Sequence, residues 1–417
     1  MTVTFNRQRL ALDCEYELST VLPATFGAHA RTVLVTRRHL VLAGAGHGQL
    51  DLLAALTEHL PEGWDVSLVT PQPDFHYSGM LPAVLAGMVT PAAAQVPVAA
   101  IARTAGLHVI VSAVSALDPQ RRELILESGE RLRYDLLSLD VGSVPAAMAV
   151  PGVYAHAYAM RPFASALRLM AKLDQAILDA PHAGTVPAVV VGGGAAGVEI
   201  AFAMSARIRR GGRTPAVTIV DATSHDGLPL SGFAKASRRL AARALTDRSV
   251  ALLAGTVKEV KADSVIVQTA DGLRTVESFA TAWVTGAAAA PWLVASGLAC
   301  DERGYPLADA HLALTADRSI FGAGDCITLR EAPATPKAGV FAVRMAPVLA
   351  ENVLAAARGS SATRRYTPQS GFLALLSTSD GSALLHWKGV TLVSRWAHAL
   401  KSWIDERYLR RYRALPV

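Results

Sequence analysis

The stretch AVVVGGGAAGVEIAFAM, residues 188–204, reads as a strand, a glycine turn and a helix. Its opening valines do not alternate with polar residues, as expected of a strand covered on both faces. The turn from Gly192 to Gly197 is a full GxGxxG. Gly192 permits the tight turn. Gly194 lets a diphosphate approach the backbone where Ala195 opens the helix, and Gly197 lets helix and strand pack closely. The next strand, Val217 to Val220, ends in Asp221. A carboxylate there accepts hydrogen bonds from an adenosine ribose and repels a 2′-phosphate, which favours NADH over NADPH. An acid at that place also caps turns, and Arg213, just before the strand, softens the preference.

A second copy of this unit lies 148 residues earlier, in HLVLAGAGHGQLDLLAAL, residues 39–56. Gly44 and Gly46 match, and His47 follows them. The third glycine position is Gln49, with Gly48 one residue early. The following strand ends in Thr70, whose hydroxyl offers one ribose hydrogen bond where a carboxylate offers more. A third motif, SIFGAGDC at 319–326, is a strand, a small-residue turn and an acid. Gly324 allows close approach, and Asp325 is placed either to bond a polyol chain or to cap a helix. Two strand–turn–helix units in one chain imply two dinucleotide sites.

The rest of the chain bounds these readings. At about 150 residues per domain, 417 residues hold two or three domains. Half the residues (51%) are hydrophobic and 18% are charged, which excludes a disordered or fibrous protein. Cys14, Cys300 and Cys326 form no CxxC pair, so neither a disulfide framework nor structural zinc is expected. The histidines His29, His182 and His225 lack metal-ligand spacing. The most apolar window, Thr281 to Cys300, is broken by Gly286, Pro291 and Gly297. Asp13, Glu15 and Glu17 spoil a signal peptide, so a cytoplasmic location is expected. Residues 360–417 carry nine Lys/Arg against three Asp/Glu, and the remaining residues balance at 31 each. A neutral body with a basic tail suits an anionic surface rather than a nucleic-acid groove.

Strands are expected at Val109–Leu117, Glu123–Glu127, Tyr134–Asp140, Val250–Leu253, Ser264–Gln268 and near Phe279–Gly286. Helices are expected over about 162–180 and 337–357, a linker at 359–370, and two or three strands and a helix in the tail.

Together these motifs resemble the two-dinucleotide-binding-domain flavoproteins, the pyridine nucleotide–disulfide reductase superfamily, from about His39 to Ala357. The resemblance adds YDLLSLDVGS (134–143) and VTGAA (284–288) to the glycine turns. FHYSGMLPAVLAG (75–87) and PKAGVFAVRMAPVLAEN (336–352) are similar to the type II NADH:quinone oxidoreductase branch. The nearest likeness is to its selenophosphate synthetase-associated subgroup, shared by FLALLST (372–378) and WIDERY (403–408) in the tail. The superfamily's redox disulfide and the cysteine pair of sulfide:quinone oxidoreductases are absent, so thiol or sulfide chemistry is not expected. Cys326 reads as a small buried hydrophobe.

The resemblance implies an α/β fold of two Rossmann-like domains, for FAD and NAD(P), plus a small C-terminal domain. Residues 1–37 form an extension, an arm or an added strand. Residues 38–155 and 280–358 form the FAD domain, 156–279 the NAD(P)H domain, and 359–417 the C-terminal domain. FAD would lie on the first turn with Asp325 at its ribityl chain, and NADH on the second. Gly79, Pro82, Gly142, Gly286 and Ala338 belong to the cofactor-binding set on the same ground. Glu199 is assigned a role in positioning the nicotinamide, although first-turn helix acids are common. Lys337 is assigned to the flavin's pyrimidine edge, where positive charge stabilises reduced flavin; a surface lysine is the alternative. His76, Tyr77 and Met80 would shape an acceptor pocket.

In the tail helix, Trp396, Leu400, Trp403, Ile404 and Tyr408 form a stripe flanked by arginines. Such a stripe over residues 395–413 lies on an anionic membrane's inner face, or packs on the body or a homodimer mate. The expected activity is hydride transfer from NADH to FAD, with electrons passing to a quinone-like acceptor. The alternatives are a redox-sensing or scaffolding flavoprotein, or a reductase of a protein such as ferredoxin.

Overall fold

A computed structural model describes residues 37–361 and 364–417. The N-terminal extension, with Cys14 and His29, lies outside the described residues.

The first half of the chain supplies strands β1 (Arg38–Ala43), β2 (Trp64–Thr70), β3 (His108–Val111) and β4 (Leu136–Leu139). A second set follows: β5 (Ala157–Ala159), β6 (Thr185–Val191), β7 (Thr214–Asp221), β8 (Val250–Ala254) and β9 (Thr281–Trp283). A late strand, β10 (Ile320–Gly322), returns to the first set. The two resulting sheets have the orders β10-β4-β1-β2-β3 and β5-β9-β6-β7-β8. Every pairing in them is parallel. The fold is therefore α/β, with two Rossmann-like sheets.

Parallel strands need crossovers that cover both sheet faces, so the central strands bury nearly everything. Leu40, Val41 and Leu42 of β1 and Ala188, Val189 and Val190 of β6 have no exposed surface. Each such valine or leucine contributes about 1.5–3 kcal/mol of burial. Each glycine turn follows the middle strand of its sheet and opens a helix: α1 (Leu50–Glu58) after β1, and α2 (Ala195–Arg210) after β6. At that place the chain crosses from one side of the strand order to the other, leaving a crevice beyond the strand ends.

The expected strand Val109–Leu117 is two strands. His108–Val111 extends the first sheet in parallel, whereas Val114–Asp118 pairs antiparallel with Glu123–Leu126. The chain turns at Ser112, whose N–H bonds to Thr70 O, so one apolar run serves two sheets. The strand expected at Phe279–Gly286 is shorter, Thr281–Trp283. Helices Phe163–Asp179 and Gly339–Ala357 follow the expected positions closely. Gly339–Ala357 is apolar and long enough to cross a membrane, yet most of it is buried in the protein.

The tail forms three antiparallel strands, Ala374–Ser377, Ala383–Trp387 and Val390–Ser394, and a helix, Arg395–Arg413. Ser394 caps that helix by accepting from Ala397 N. Three residues in its last turns are bonded to the body. Tyr412 donates to Asp51 (2.8 Å), Arg411 pairs with Asp51, and Arg413 donates to Gln95 O (2.9 Å).

Candidate functional site

The first crevice, about 360 Å³, is lined by Gly44, Gly46, His47, Thr70, Gly142 and Asp325, among others. Gly44 has φ +89°, and a Cβ there would lie 2.2 Å from Asp140 O. The missing third glycine is explained locally. Gln49 folds under the turn, donating to Ser138 O (3.0 Å) and accepting from the Ser138 hydroxyl (2.6 Å). A fully satisfied amide thus replaces the close approach that glycine would give. Thr70 spends its hydroxyl proton on Gln72 O (3.0 Å), so toward a ribose it can only accept.

Asp140, the residue after β4, had no assigned role in the sequence reading. It is 4% exposed and sits against the first turn, accepting from Gln49 N (3.0 Å). Burial pushes its carboxyl up to about 7. Its signal was an acid ending a strand within LSLDVGS, comparable to Asp325. Arg161 was also missed and has no sequence signature. Its guanidinium pairs with Asp325 at 2.9 Å. His47 is held neutral, its pKa lowered to about 4 by burial and then by Arg161.

Gly48 and Gly324 support the crevice from beneath, each packed on Asp140. Ala338 lines a small adjoining cavity with Asp325 and Lys337. Gly79 and Pro82 do not line the crevice, although their neighbours Ser78 and Leu81 do. Gly79 instead offers its carbonyl to Lys401 (2.8 Å), and Pro82 is buried in the short helix Leu81–Leu85. His76 lines the crevice and stacks on Phe163; its Nε2 meets the Gln95 amide, and its Nδ1 has no partner among the described residues. Tyr77 packs against Tyr408, and Met80 lies against the cores.

The second crevice, about 610 Å³, brings together Gly192, Gly194, Ala195, Gly197, Asp221 and Gly286. A Cβ on Gly197 would lie 1.9 Å from Gly192 O, so the helix can approach only without a side chain. Asp221 is 4% exposed. One oxygen accepts from the N–H and hydroxyl of Thr223 at 2.9 and 2.8 Å. The other, Oδ2, has no partner among the described residues and lies over Gly193. A buried carboxylate oxygen with no partner fits a ribose hydroxyl. Arg213 does not line this crevice and bonds to Ala180 O (3.1 Å).

Lys337 lines the second crevice. Its ammonium is turned to Ile327 O and Thr328 Oγ1, and lies 4.1 Å from the Tyr305 ring centre. Burial lowers its pKa to about 8. Glu199 lines neither crevice and accepts from Ser377 N (2.8 Å). Near it, Lys401 donates to Asp405 (3.0 Å), which also accepts from the Tyr77 hydroxyl (3.0 Å). Burial pushes Glu199 up to about 7. For Lys401, burial is outweighed by Glu199 and Asp405, which hold its pKa above the usual value. Cys326 is buried, its thiol pushed up to about 12, and donates to Ala323 O. Among the described residues, no cluster of His, Cys, Asp and Glu has the makings of a metal site.

Two parallel sheets, each with a glycine turn on its middle strand and facing crevices, define a two-nucleotide flavoprotein. The pyridine nucleotide-disulphide oxidoreductase family model matches residues 38–346, and the chain belongs to that family. The family's cofactors are FAD and a nicotinamide nucleotide, and the glycine cradles and Asp221 fit them. The chain is 30% identical over 182 residues to the external NADH-ubiquinone oxidoreductase 2 of Saccharomyces cerevisiae mitochondria. That match covers 40% of this chain and 33% of the yeast protein. It is 26% identical to an NADH dehydrogenase-like protein of Mycobacterium tuberculosis, over 57% of this chain and 60% of that one. The chain thus spans between a third and three fifths of these relatives' lengths. The sulfide:quinone oxidoreductase of Aquifex aeolicus shares the fold, with a TM-score of 0.74 at 19% identity, covering 90% and 91% of the two chains.

Proposed function

We propose that the protein is an FAD-dependent NADH dehydrogenase that delivers electrons to a quinone-like acceptor. The observation that carries this is a shared wall. Val144, Met160, Arg161 and Asp325 line both crevices, so the two nucleotide sites adjoin. Bound together, the two cofactors supply hydride transfer from nicotinamide to flavin, and alignment is the protein's main contribution.

In this reading Gly44, Gly46, Thr70, Gly142 and Asp325 hold FAD. Arg161 balances Asp325 and the diphosphate. Gly192, Gly194, Ala195 and Gly197 admit the NADH diphosphate, and Asp221 Oδ2 takes its ribose. Residues 38–155 and 280–358 then form the FAD domain, 156–279 the NADH domain and 359–417 the C-terminal domain. Glu199 acts through the tail sheet it bonds, as a positioning residue. Lys337 holds positive charge beside Asp325.

A third cleft suits the acceptor. It is lined by Phe233, Pro336, Phe341, Phe372 and Trp387, apolar and aromatic surface fit for a quinone ring. Phe341 belongs to the same helix turn as Gly339 and Ala342, which line the first crevice. Trp396 and Trp403 stay 55% and 57% exposed on the tail helix, beside the exposed Arg395 and Arg407. That face is placed for the inner surface of an anionic membrane, where quinone resides. The mitochondrial setting belongs to the yeast relative; a cytoplasmic, peripheral place is the reading here.

Anaerobic addition of NADH to the purified protein tests the core of the proposal. Flavin absorption that bleaches on mixing, and returns when a soluble quinone is added, is the expected result. Bound flavin that NADH cannot bleach removes the dehydrogenase and leaves a sensor or scaffold.

A further inference from the structure

The first turn differs from an ordinary dinucleotide turn by what stands behind it. Asp140 accepts from Gln49 N, in the residue that precedes α1. Cβ atoms placed on Gly46 and Gly324 would lie 2.6 and 2.5 Å from its carboxylate, and one on Gly48 would lie 3.0 Å away. Three glycines from two separate motifs therefore make room for one carboxyl group. The N-terminus of α1, where a diphosphate is normally received, already holds an acid of the protein's own.

We propose that Asp140 governs nucleotide capture at the first turn, holding the turn as a carboxylate and taking up one proton from solvent when a diphosphate binds. The inference rests on the FAD reading of this crevice. A diphosphate brought to this helix end puts two negative charges beside two carboxylates, Asp140 and Asp325, in a poorly hydrated place. Protonating Asp140 removes one of them and weakens the bonds it accepts from the turn's backbone N–H groups.

The groups around it leave Asp140 as the acid that responds. Arg161 favours its charged form but is already paired with Asp325. His47, in the turn itself, is neutral. Cys326 is a thiol held protonated by burial, and Tyr408, from the tail helix, is a phenol held protonated by burial. Burial already brings Asp140 close to neutral pH, so a modest added charge tips it. Lys337, close to Cys326 and Asp325, has its pKa lowered by burial to about 8 and is the other nearby group, among the described residues, that bears on this pH range.

The test is binding, not turnover. FAD is titrated into flavin-free protein from pH 6 to 9 by fluorescence quenching, and by calorimetry in two buffers of different ionisation enthalpy. Uptake of about one proton per FAD at pH 8, with Kd weakening about tenfold per pH unit above about 7, is expected. Asp140→Asn, which keeps an acceptor for Gln49 N, should show neither effect and bind FAD more tightly than wild type at pH 8.5. Wild-type binding that is flat with pH overturns the inference. So does a slope that survives in Asp140→Asn, since it would belong to Lys337. If the variant does not fold, absence of proton uptake by wild type is sufficient to overturn it. FAD that binds at no pH instead removes the flavin reading itself.

Discussion

At the scale of single residues, two positions carry specific consequences. Asp221 Oδ2 is buried with no partner among the described residues, and hydrogen bonds to charged groups are worth about 1.5–3 kcal/mol. Replacing Asp221 with Ala should weaken NADH at least tenfold and leave NADPH little changed. Dissociation constants for the two nucleotides, measured side by side, check this; equal losses for both would remove the ribose role. Glu199 carries a pH consequence. Its carboxyl is raised from 4.5 to about 7 by burial, so between those values the folded chain binds more protons than the unfolded one. Stability from this group is therefore present at low pH and lost as pH rises toward 7. Glu199→Gln should gain on wild type in denaturant midpoint between pH 5 and pH 8. A constant difference across that range would show that the carboxylate is not held in this state.

At the scale of elements, the tail helix packs on the body along one side and leaves Trp396 and Trp403 exposed on another. The stripe Trp396, Leu400, Trp403, Ile404, Tyr408 does not act as one face. Tyr408 turns inward to His47, Tyr77 and Tyr412, while the two tryptophans stay outside. The buried side is partly polar, with Lys401, Asp405 and Tyr412 bonded to the body, which apolar periodicity cannot register. Deleting residues 395–417 would strip Asp51 and Gly79 of their partners and destabilise the first sheet's covering, so it cannot isolate a membrane role. The double substitution Trp396→Ser and Trp403→Ser leaves those bonds intact. It should lower co-sedimentation with phosphatidylglycerol-containing vesicles several-fold, with an unchanged melting temperature. Undiminished sedimentation would mean that the tryptophans face something other than lipid.

The same scale shows why the fold was so legible and the site only partly so. Strand, glycine turn and helix are contiguous in sequence, and Gly192, Gly194, Gly197 and Asp221 gather along one unit. The first site is assembled from far-separated segments: the turn near Gly44, Asp140 after β4, Arg161 before a helix, and Asp325 after β10. The glycines and Asp325 carry local signatures, Asp140 carries that of an acid ending a strand, and Arg161 carries none. Gln49 looked like a lost glycine because the sequence does not show Ser138, its partner 89 residues away. One apolar run at Val109–Leu117 divided between two sheets for the same reason: the pairing partners are remote.

At the scale of the whole molecule, the two crevices share a wall to which Arg161 and Asp325 both belong. Asp325 is buried, and its one ion pair among the described residues is with Arg161. Arg161 is half exposed, but removing its guanidinium would leave the buried Asp325 carboxylate without its cation beside the proposed diphosphate position. Arg161→Met should therefore lower flavin content on purification and weaken added FAD by about tenfold or more. NADH binding at the second crevice should weaken too, although none of the GxGxxG residues has changed. A variant that loses FAD alone would mean that the crevices merely adjoin. Loss at both would make Arg161 the residue through which one nucleotide site senses the charge of the other, and FAD-loaded protein should then bind NADH differently from flavin-free protein.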